Sequence, residues 1–312
     1  MKIIFMGTPD FSVGTLEALV DAGHDVCLAV TQPDKPKGRG KEMQPTPVKA
    51  AALKHGIPVY QPEKIRDPRC VEELEKYHAD VCVVIAFGQI LPKSILELTP
   101  YGCINVHASL LPKYRGAAPI QWAILEGETV TGVTTMQMDE GLDTGDMIRK
   151  AEVPITEEDT GESLHDKLAR AGAQLCVETL KALENHTAVF EKQGESPTPY
   201  AKMLDKKMGN INWSQSAVKI GRLVRGLNSW PSAYTHWQGK TLKIWRAKAE
   251  GGGSGSCVPG TIIKVEKDRF TVQTGNGVLH VYELQIPGKK RMESGAFLRG
   301  YALEEGTVLT QE

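Results

Sequence analysis

The chain has 312 residues, 41% of them hydrophobic and 24% charged, with a net charge of -1. These values are ordinary for a folded soluble protein and argue against disorder or a fibre, and the length makes two domains the default. The longest apolar run, Val81 to Phe87, is far short of the ~20 residues that a membrane span needs.

Met1 to Gly7 reads as the start of a first strand, with its apolar run at Ile3 to Met6, which leaves no room for a signal or transit peptide. The next residues are Gly7-Thr8-Pro9-Asp10, where a dinucleotide-binding fold would carry GxGxxG; that fingerprint is absent, so nothing supports a nicotinamide cofactor. A helix is expected over Phe11 to Ala22 and a strand over Val26 to Val30. A basic run follows, Lys35-Pro36-Lys37-Gly38-Arg39-Gly40-Lys41, extended by Lys49. Pro36, Gly38 and Gly40 forbid helix and discourage strand, so an exposed, mobile loop is expected. It reads either as an arm laid on a nucleic-acid backbone or as a solvated turn. Its place at the carboxyl edge of the sheet, where ligands bind in open α/β folds, favours the first.

Pro47 to His55 is a further helix, and Val81 to Phe87, Cys103 to Val106 and Val133 to Met138 are further strands. Alternation of strands and helices predicts an α/β fold with a Rossmann-like, doubly wound, mostly parallel sheet. Gly161 to Leu183 makes a long amphipathic helix that would close it. The polar stretch Gln193 to Pro199 reads as a linker. From Asn210 the texture changes to a helical patch, Ser214 to Gly226, and then to β-rich runs at Lys240 to Ala247, Gly260 to Val265, Phe270 to Thr274 and Leu279 to Leu284. Glycine-containing turns separate them, which predicts a small C-terminal β-barrel of OB-like type. Gly251 to Ser256 is a loop within it. The expected domains are therefore 1–189, a linker over 190–206, and 207–312.

The small net charge hides a split. Residues 1–200 hold 20 Lys and Arg against 29 Asp and Glu, whereas residues 201–300 hold 17 against 6. A C-terminal part with such a surplus suits a polyanionic partner, the alternative being a solvated basic surface. Trp213, Trp230, Trp237 and Trp245 lie among those cations. Tryptophan in a small barrel usually belongs to the core, while stacking on nucleotides is the other use. The six cysteines form no CxxC pair and several lie in apolar strands, which fits buried reduced thiols and a cytoplasmic compartment. The eight histidines show no ligand spacing, so no metal site is expected.

The chemistry concentrates in Asn105-Val106-His107, at the end of a strand, and in Asp143 of a glycine-flanked loop. Asn105 and His107 are two apart, so their side chains leave one face of the strand and can act on one substrate atom. An amide donor can meet the oxyanion of acyl transfer, an imidazole can donate to the same oxygen or carry a proton, and a carboxylate can orient that imidazole or take a proton from an amine. Ser109 lacks the Gly-x-Ser-x-Gly setting of a nucleophile elbow. Acyl transfer between nitrogens without a covalent intermediate is the chemistry these residues suit.

Asn105-Val106-His107-Ala108-Ser109-Leu110-Leu111-Pro112-Lys113-Tyr114-Arg115-Gly116-Ala117-Ala118-Pro119, with Gly141-Leu142-Asp143-Thr144-Gly145-Asp146, resembles the signature of the folate-dependent formyltransferases. The resemblance implies transfer of a formyl group from 10-formyltetrahydrofolate to an amine, with Asn105, His107 and Asp143 as the catalytic set. It further implies a folate-binding segment at Ser109, Leu110, Leu111 and Pro112, and a pterin loop at Phe87, Gly88, Ile90 and Leu91. The family also includes enzymes acting on glycinamide ribonucleotide and on amino sugars. Gly7 to Phe11, Thr31-Gln32-Pro33-Asp34, Gln44 to Lys49, Ile211-Asn212-Trp213-Ser214, Leu227 to Pro231 and Pro259 to Ile262 resemble the branch that formylates charged initiator methionyl-tRNA. On that resemblance Lys35, Lys37, Arg39 and Lys41 would meet the tRNA acceptor arm, the barrel would hold its outer face, and the chain would act as a monomer.

Overall fold

The structure is a computed structural model and describes residues 1–37, 42–253, 255 and 257–311, apart from the side chain of Lys37. In chain order the elements are β1 (Lys2–Gly7), α1 (Asp10–Asp21), β2 (Asp25–Val30), β3 (Lys35–Lys37), β4 (Glu42–Gln44), α2 (Pro47–Lys54), β5 (Val59–Tyr60), α3 (Pro68–Glu75), β6 (Val81–Ile85), α4 (Lys93–Leu96), β7 (Cys103–His107), α5 (Pro119–Glu126), β8 (Val130–Gln137), β9 (Met147–Pro154) and α6 (Gly161–Glu184). They are followed by α7 (Ala217–Gly226), β10 (Ala233–Trp237), β11 (Lys240–Glu250), β12 (Ile262–Val265), β13 (Phe270–Gln273), β14 (Val278–Gln285), β15 (Met292–Glu293) and α8 (Ser294–Gly300). Two compact units result. The first comprises Met1–Pro119, Val130–Pro154 and His165–Ala201; the second comprises Ile120–Thr129, Ile155–Leu164 and the chain from Lys202 onward.

The first unit is built on a seven-stranded sheet in the order β5-β2-β1-β6-β7-β8-β9. Its first five strands are parallel, and β8 and β9 extend it antiparallel to their neighbours. This is the Rossmann-like, mostly parallel fold that the strand pattern predicts. Every residue of β6 is buried, as an apolar run covered on both faces must be. Gly7 ends β1 where a Cβ would lie 2.8 Å from that of Ser12, so its lack of a side chain lets α1 sit close. Ser12 is itself buried and donates to the Ile85 carbonyl at 2.7 Å, tying α1 to β6. The chain passes from β1 to β2 on one side and later to β6 on the other. This reversal opens a crevice at the carboxyl ends of the strands.

The basic stretch differs from its expected form. β3 and β4 pair antiparallel, with Lys35 opposite Gln44 and Lys37 opposite Glu42. Backbone pairing of the flanks overrides the low strand propensity of Pro36, which as a two-stranded edge position has no further partner to serve. Residues 38–41 lie outside the described residues.

The second unit is an antiparallel sheet in the order β10-β11-β14-β13-β12, with β15 on β14. Its outer strands are joined through residues near the end of the chain: Thr310 exchanges backbone hydrogen bonds with His236 of β10, and Gly306 and Thr307 exchange them with Ile262 of β12. A sheet bridged at both edges leaves no long exposed edge, which is the advantage of a barrel. Its interior holds Ile211, Trp213, Trp237, Ile244, Phe270, Val281, Leu284 and Phe297. The four tryptophans divide: Trp213 and Trp237 are core, Trp230 is exposed, and Trp245 is half-buried with Lys243 and Arg291 over its ring at 5.6 and 5.4 Å. The helical patch begins at Ala217, because Ser216 caps it by accepting from the Lys219 N–H at 3.3 Å.

Candidate active site

β7 brings Asn105 and His107 to the carboxyl edge of the sheet, flanked by β6 and β8, with Asn105 beside Val84 and His107 beside Thr134. Asn105 donates one Nδ2 hydrogen to the Val84 carbonyl at 3.0 Å. Since a carbonyl only accepts, the orientation of the amide follows, and the second N–H is left for another acceptor. Its Oδ1 is buried and has no hydrogen-bond partner among the described residues. A buried acceptor without a donor costs about 1–3 kcal/mol, so a donor brought to this atom by a ligand would be stabilised there.

His107 is 7% exposed. Its Nε2 donates to the Tyr114 carbonyl at 3.0 Å, and its Nδ1 faces Oδ1 of Asp143 at 3.7 Å. With Nε2 committed to a carbonyl, Nδ1 is the nitrogen left for chemistry, and a proton placed there points toward the carboxylate. Asp143 adopts a left-handed backbone with φ of 56°, and its other oxygen accepts from the Gly116 N–H at 2.9 Å. Gly116 has φ of 124°, and a Cβ there would lie 2.7 Å from the Ala201 carbonyl and 2.8 Å from the Tyr200 ring. Only glycine delivers this N–H to Asp143 without a clash.

Ser109 is buried and its hydroxyl donates to the Lys113 carbonyl at 2.6 Å. It therefore closes the turn at 109–113 and is not presented to a reacting carbon. Thr134 braces the same turn by donating to the Ser109 carbonyl at 2.7 Å and accepting from the Leu111 N–H at 3.1 Å. Leu111 is buried with Met136 and Met147. Phe87 and Leu91 are buried in the main core of the first unit. With their side chains buried, Phe87, Leu91, Ser109 and Leu111 offer a ligand their backbone groups. Gly88 is exposed with φ of 84°, Ile90 is 57% exposed, and Leu110 and Pro112 are half-buried. The two segments leave adjacent parallel strands, β6 and β7, so they border the same edge. The loop after β6 is held by its Phe87 carbonyl, which accepts from the Thr8 hydroxyl at 2.9 Å and the Gln32 amide at 3.2 Å. Exposed apolar groups beside an amide whose Oδ1 is unpartnered among the described residues suit a flat, hydrogen-bonding heterocycle such as a pterin.

Of the four basic candidates, Lys35 is exposed on β3; the side chain of Lys37, and Arg39 and Lys41 entirely, lie outside the described residues. Lys49 is already paired, 2.6 Å from Asp34, whose carboxyl this contact and the Gln61 amide hold below the usual range. Among the described residues, no three His, Cys, Asp or Glu group as a metal site, and no helix is long and apolar enough to cross a membrane.

The sequence did not single out Tyr114, Gly116, Gln193, Thr198 and Tyr200, all of which adjoin the set. Tyr114 donates its N–H to the Thr198 hydroxyl at 2.7 Å, and Gln193 donates to the carbonyls of Asp143 and Gly145. Tyr200 is 46% exposed, and its phenol is pushed up by burial and by the Asp143 charge. An aromatic residue directly after the polar Gln193 to Pro199 stretch was the one local signal that this segment has contacts to make.

Residues 1–180 match the family model described as formyl transferase, and residues 203–302 match that described as formyl transferase, C-terminal domain. Methionyl-tRNA formyltransferase of Agathobacter rectalis is 59% identical over 99% of this chain and 100% of its own length. That of Lachnospira eligens is 54% identical over 99% of each chain. Among solved structures, the sugar 3N-formyl transferase WlaRD, crystallised with dTDP and 5-N-formyl-THF, superposes with a TM-score of 0.67 at 19% identity over 93% of this chain and 99% of that one.

Proposed function

Because the chain belongs to the formyl transferase family, we propose that Asn105, His107 and Asp143 are the groups with which it moves a formyl group from 10-formyltetrahydrofolate to the α-amino group of charged initiator methionyl-tRNA, for translation initiation. The observation that carries this reading is the meeting of three groups at one sheet edge: an amide with a spare N–H and an unpartnered Oδ1, a buried imidazole, and a carboxylate facing its Nδ1. The hydroxyl of Ser109 is spent on the Lys113 carbonyl, which suits direct attack by the amine.

The folate supplies the formyl group on a nitrogen. Asn105 donates its free N–H to the formyl oxygen as charge develops there, and its Oδ1 accepts a hydrogen of the attacking amine, which holds the amine's lone pair toward the carbon. Asp143 draws off the amine proton as the new C–N bond forms. His107 takes that proton from Asp143 at Nδ1, stabilises the same oxygen while charged, and passes the proton to the leaving folate nitrogen as the old C–N bond to the formyl carbon breaks, so that no net proton is lost. Gly88, Ile90, Leu110 and Pro112, with backbone groups of Phe87, Leu91, Ser109 and Leu111, hold the pterin. Lys35, Lys37, Arg39 and Lys41 meet the acceptor arm, and the basic domain at 207–312 holds its outer face, joined to the catalytic domain at 1–189 through 190–206. The protein works as a cytoplasmic monomer without a metal.

The test is to mix the protein, 10-formyltetrahydrofolate and charged initiator or elongator tRNA and to look for formylmethionine. Product from the initiator alone is expected, with binding that weakens steeply as salt rises. Formylation of a small amine but of neither tRNA would overturn the reading.

A further inference from the structure

The polar stretch that resembles a linker is bonded along its length to the candidate site. Glu191 exchanges backbone hydrogen bonds with Met147, Thr198 receives the Tyr114 N–H, and Ala201 donates to the Arg115 carbonyl at 2.7 Å while accepting from Ala117 and Ala118. At its centre stands Gln193. Its Nε2 donates to the carbonyls of Asp143 at 2.9 Å and Gly145 at 2.7 Å, and its Oε1 accepts from Nε and Nη2 of Arg115 at 3.0 and 2.9 Å. Arg115 also reaches the Gly194 carbonyl at 2.9 Å, which fixes its guanidinium.

Those contacts fall where the loop most needs them. Gly141 and Gly145 flank Asp143 and contribute no side chains to hold it, and Asp143 has a left-handed backbone that residues with a Cβ rarely adopt. Among the described residues the carboxylate itself has one strong donor, the Gly116 N–H, which belongs to the residue after Arg115. Gln193 thus joins the two strips of chain between which Asp143 is held: it grips the loop backbone with its nitrogen and the 115–116 backbone, through Arg115, with its oxygen.

We infer that Gln193 is a positioning residue for Asp143, holding the loop so that the carboxylate faces Nδ1 of His107; this rests on the proposed role of Asp143. Among the described residues Gln193 makes no hydrogen bond to His107 or Asn105, and its bonds to the Asp143 and Gly145 carbonyls route its effect through Asp143. Misplacing a reacting group by ~1 Å can cost ~100-fold in rate. The Gln193→Ala variant therefore lowers kcat by about 10- to 100-fold while KM for both substrates stays within about twofold.

Two further measurements separate this role from general destabilisation. In an Asp143→Asn background, adding Gln193→Ala lowers single-turnover formylation by less than about twofold, since a residue that acts through Asp143 has nothing left to position. Gln193→Glu keeps the size of the side chain and its bonds to Arg115 but loses both donors to the loop, and it lowers kcat as Gln193→Ala does. Full kcat in either Gln193 variant, or an equal loss from Gln193→Ala in both backgrounds, overturns the inference. Should Asp143→Asn itself keep wild-type kcat, the proposed role of Asp143 falls and the inference with it. A fall in Asp143→Asn beside unchanged Gln193 variants removes the inference alone.

Discussion

Replacing Asp143 with Asn removes one charge and little else. The side chains are nearly the same size, and the Asn carbonyl can keep the Gly116 N–H bond of 2.9 Å. What is lost is the interaction of a carboxylate with a charge developing on the imidazole 3.7 Å away. At an effective dielectric constant of about 20 that interaction is about 4 kcal/mol, and partial screening of a carboxylate that is 24% exposed halves it to about 2 kcal/mol. The expected fall in kcat is thus about 30- to 1000-fold from charge alone, and loss of the proton acceptor adds to it. If the proposed basic contacts carry the tRNA, its affinity should not move. The assay is single-turnover formylation of charged initiator tRNA, with tRNA binding and Tm measured on the same preparation. A kcat within threefold of wild type, in a variant that binds tRNA and folds normally, would refute the assignment.

Ser109→Ala should lower Tm through the loss of a buried hydrogen bond of about 1–2 kcal/mol, with single-turnover formylation within about tenfold; a loss of about 10⁴-fold would instead identify a nucleophile. In Gly116→Ala, the new methyl group meets the Ala201 carbonyl and the Tyr200 ring; a stability loss of about 2–3 kcal/mol in urea and a fall in kcat resembling that of Asp143→Asn are expected, and an unchanged midpoint would contradict the geometry. A thiol reagent at pH 8 should label exposed Cys257 first and half-buried Cys27 slowly, because burial pushes that thiol up to about 11. Cys176, pushed up to about 12 by burial, and the buried Cys70, Cys82 and Cys103 should react only after unfolding; fast labelling of any of these four in the folded protein would be inconsistent with the packing.

Local patterns located β1, β2, β6, β7, β8 and the long helix closely, because period-2 and period-3.6 burial is a property of neighbouring residues, but they did not single out β5 or β9 of the same sheet. The helix over 161–183 runs from Gly161 to Glu184, and the strand at Cys103 runs to His107. Where contacts are distant, local pattern was a poor guide. Ala233–Trp237 has no aliphatic run and becomes β10 because β11 pairs with it. Lys35–Lys37 joins a strand pair despite Pro36. Lys49 looks like part of a basic island until Asp34 is found beside it, and the tryptophans divide by tertiary contact: Trp213, in a turn, and Trp237, on β10, pack into one core, while Trp230 lies in an exposed turn.

The chain order of residues was enough to place Asn105 and His107 on one face, since alternation along a strand needs no partner. It was enough, too, to recognise a glycine-flanked carboxylate, the absence of a dinucleotide loop, and a basic C-terminal part. Tertiary structure alone decided which imidazole nitrogen is free, because the carbonyl that occupies Nε2 belongs to Tyr114 in the turn beyond. It also decided that Asp143 meets the other nitrogen, and that Gln193 and Ala201, in a stretch with every mark of a linker, hold the loop and the Gly116 donor in place. Those contacts join segments remote in sequence, and no periodicity encodes them: they exist because a seven-stranded sheet brings the end of β7, the loop after β8 and the chain beyond α6 to one edge.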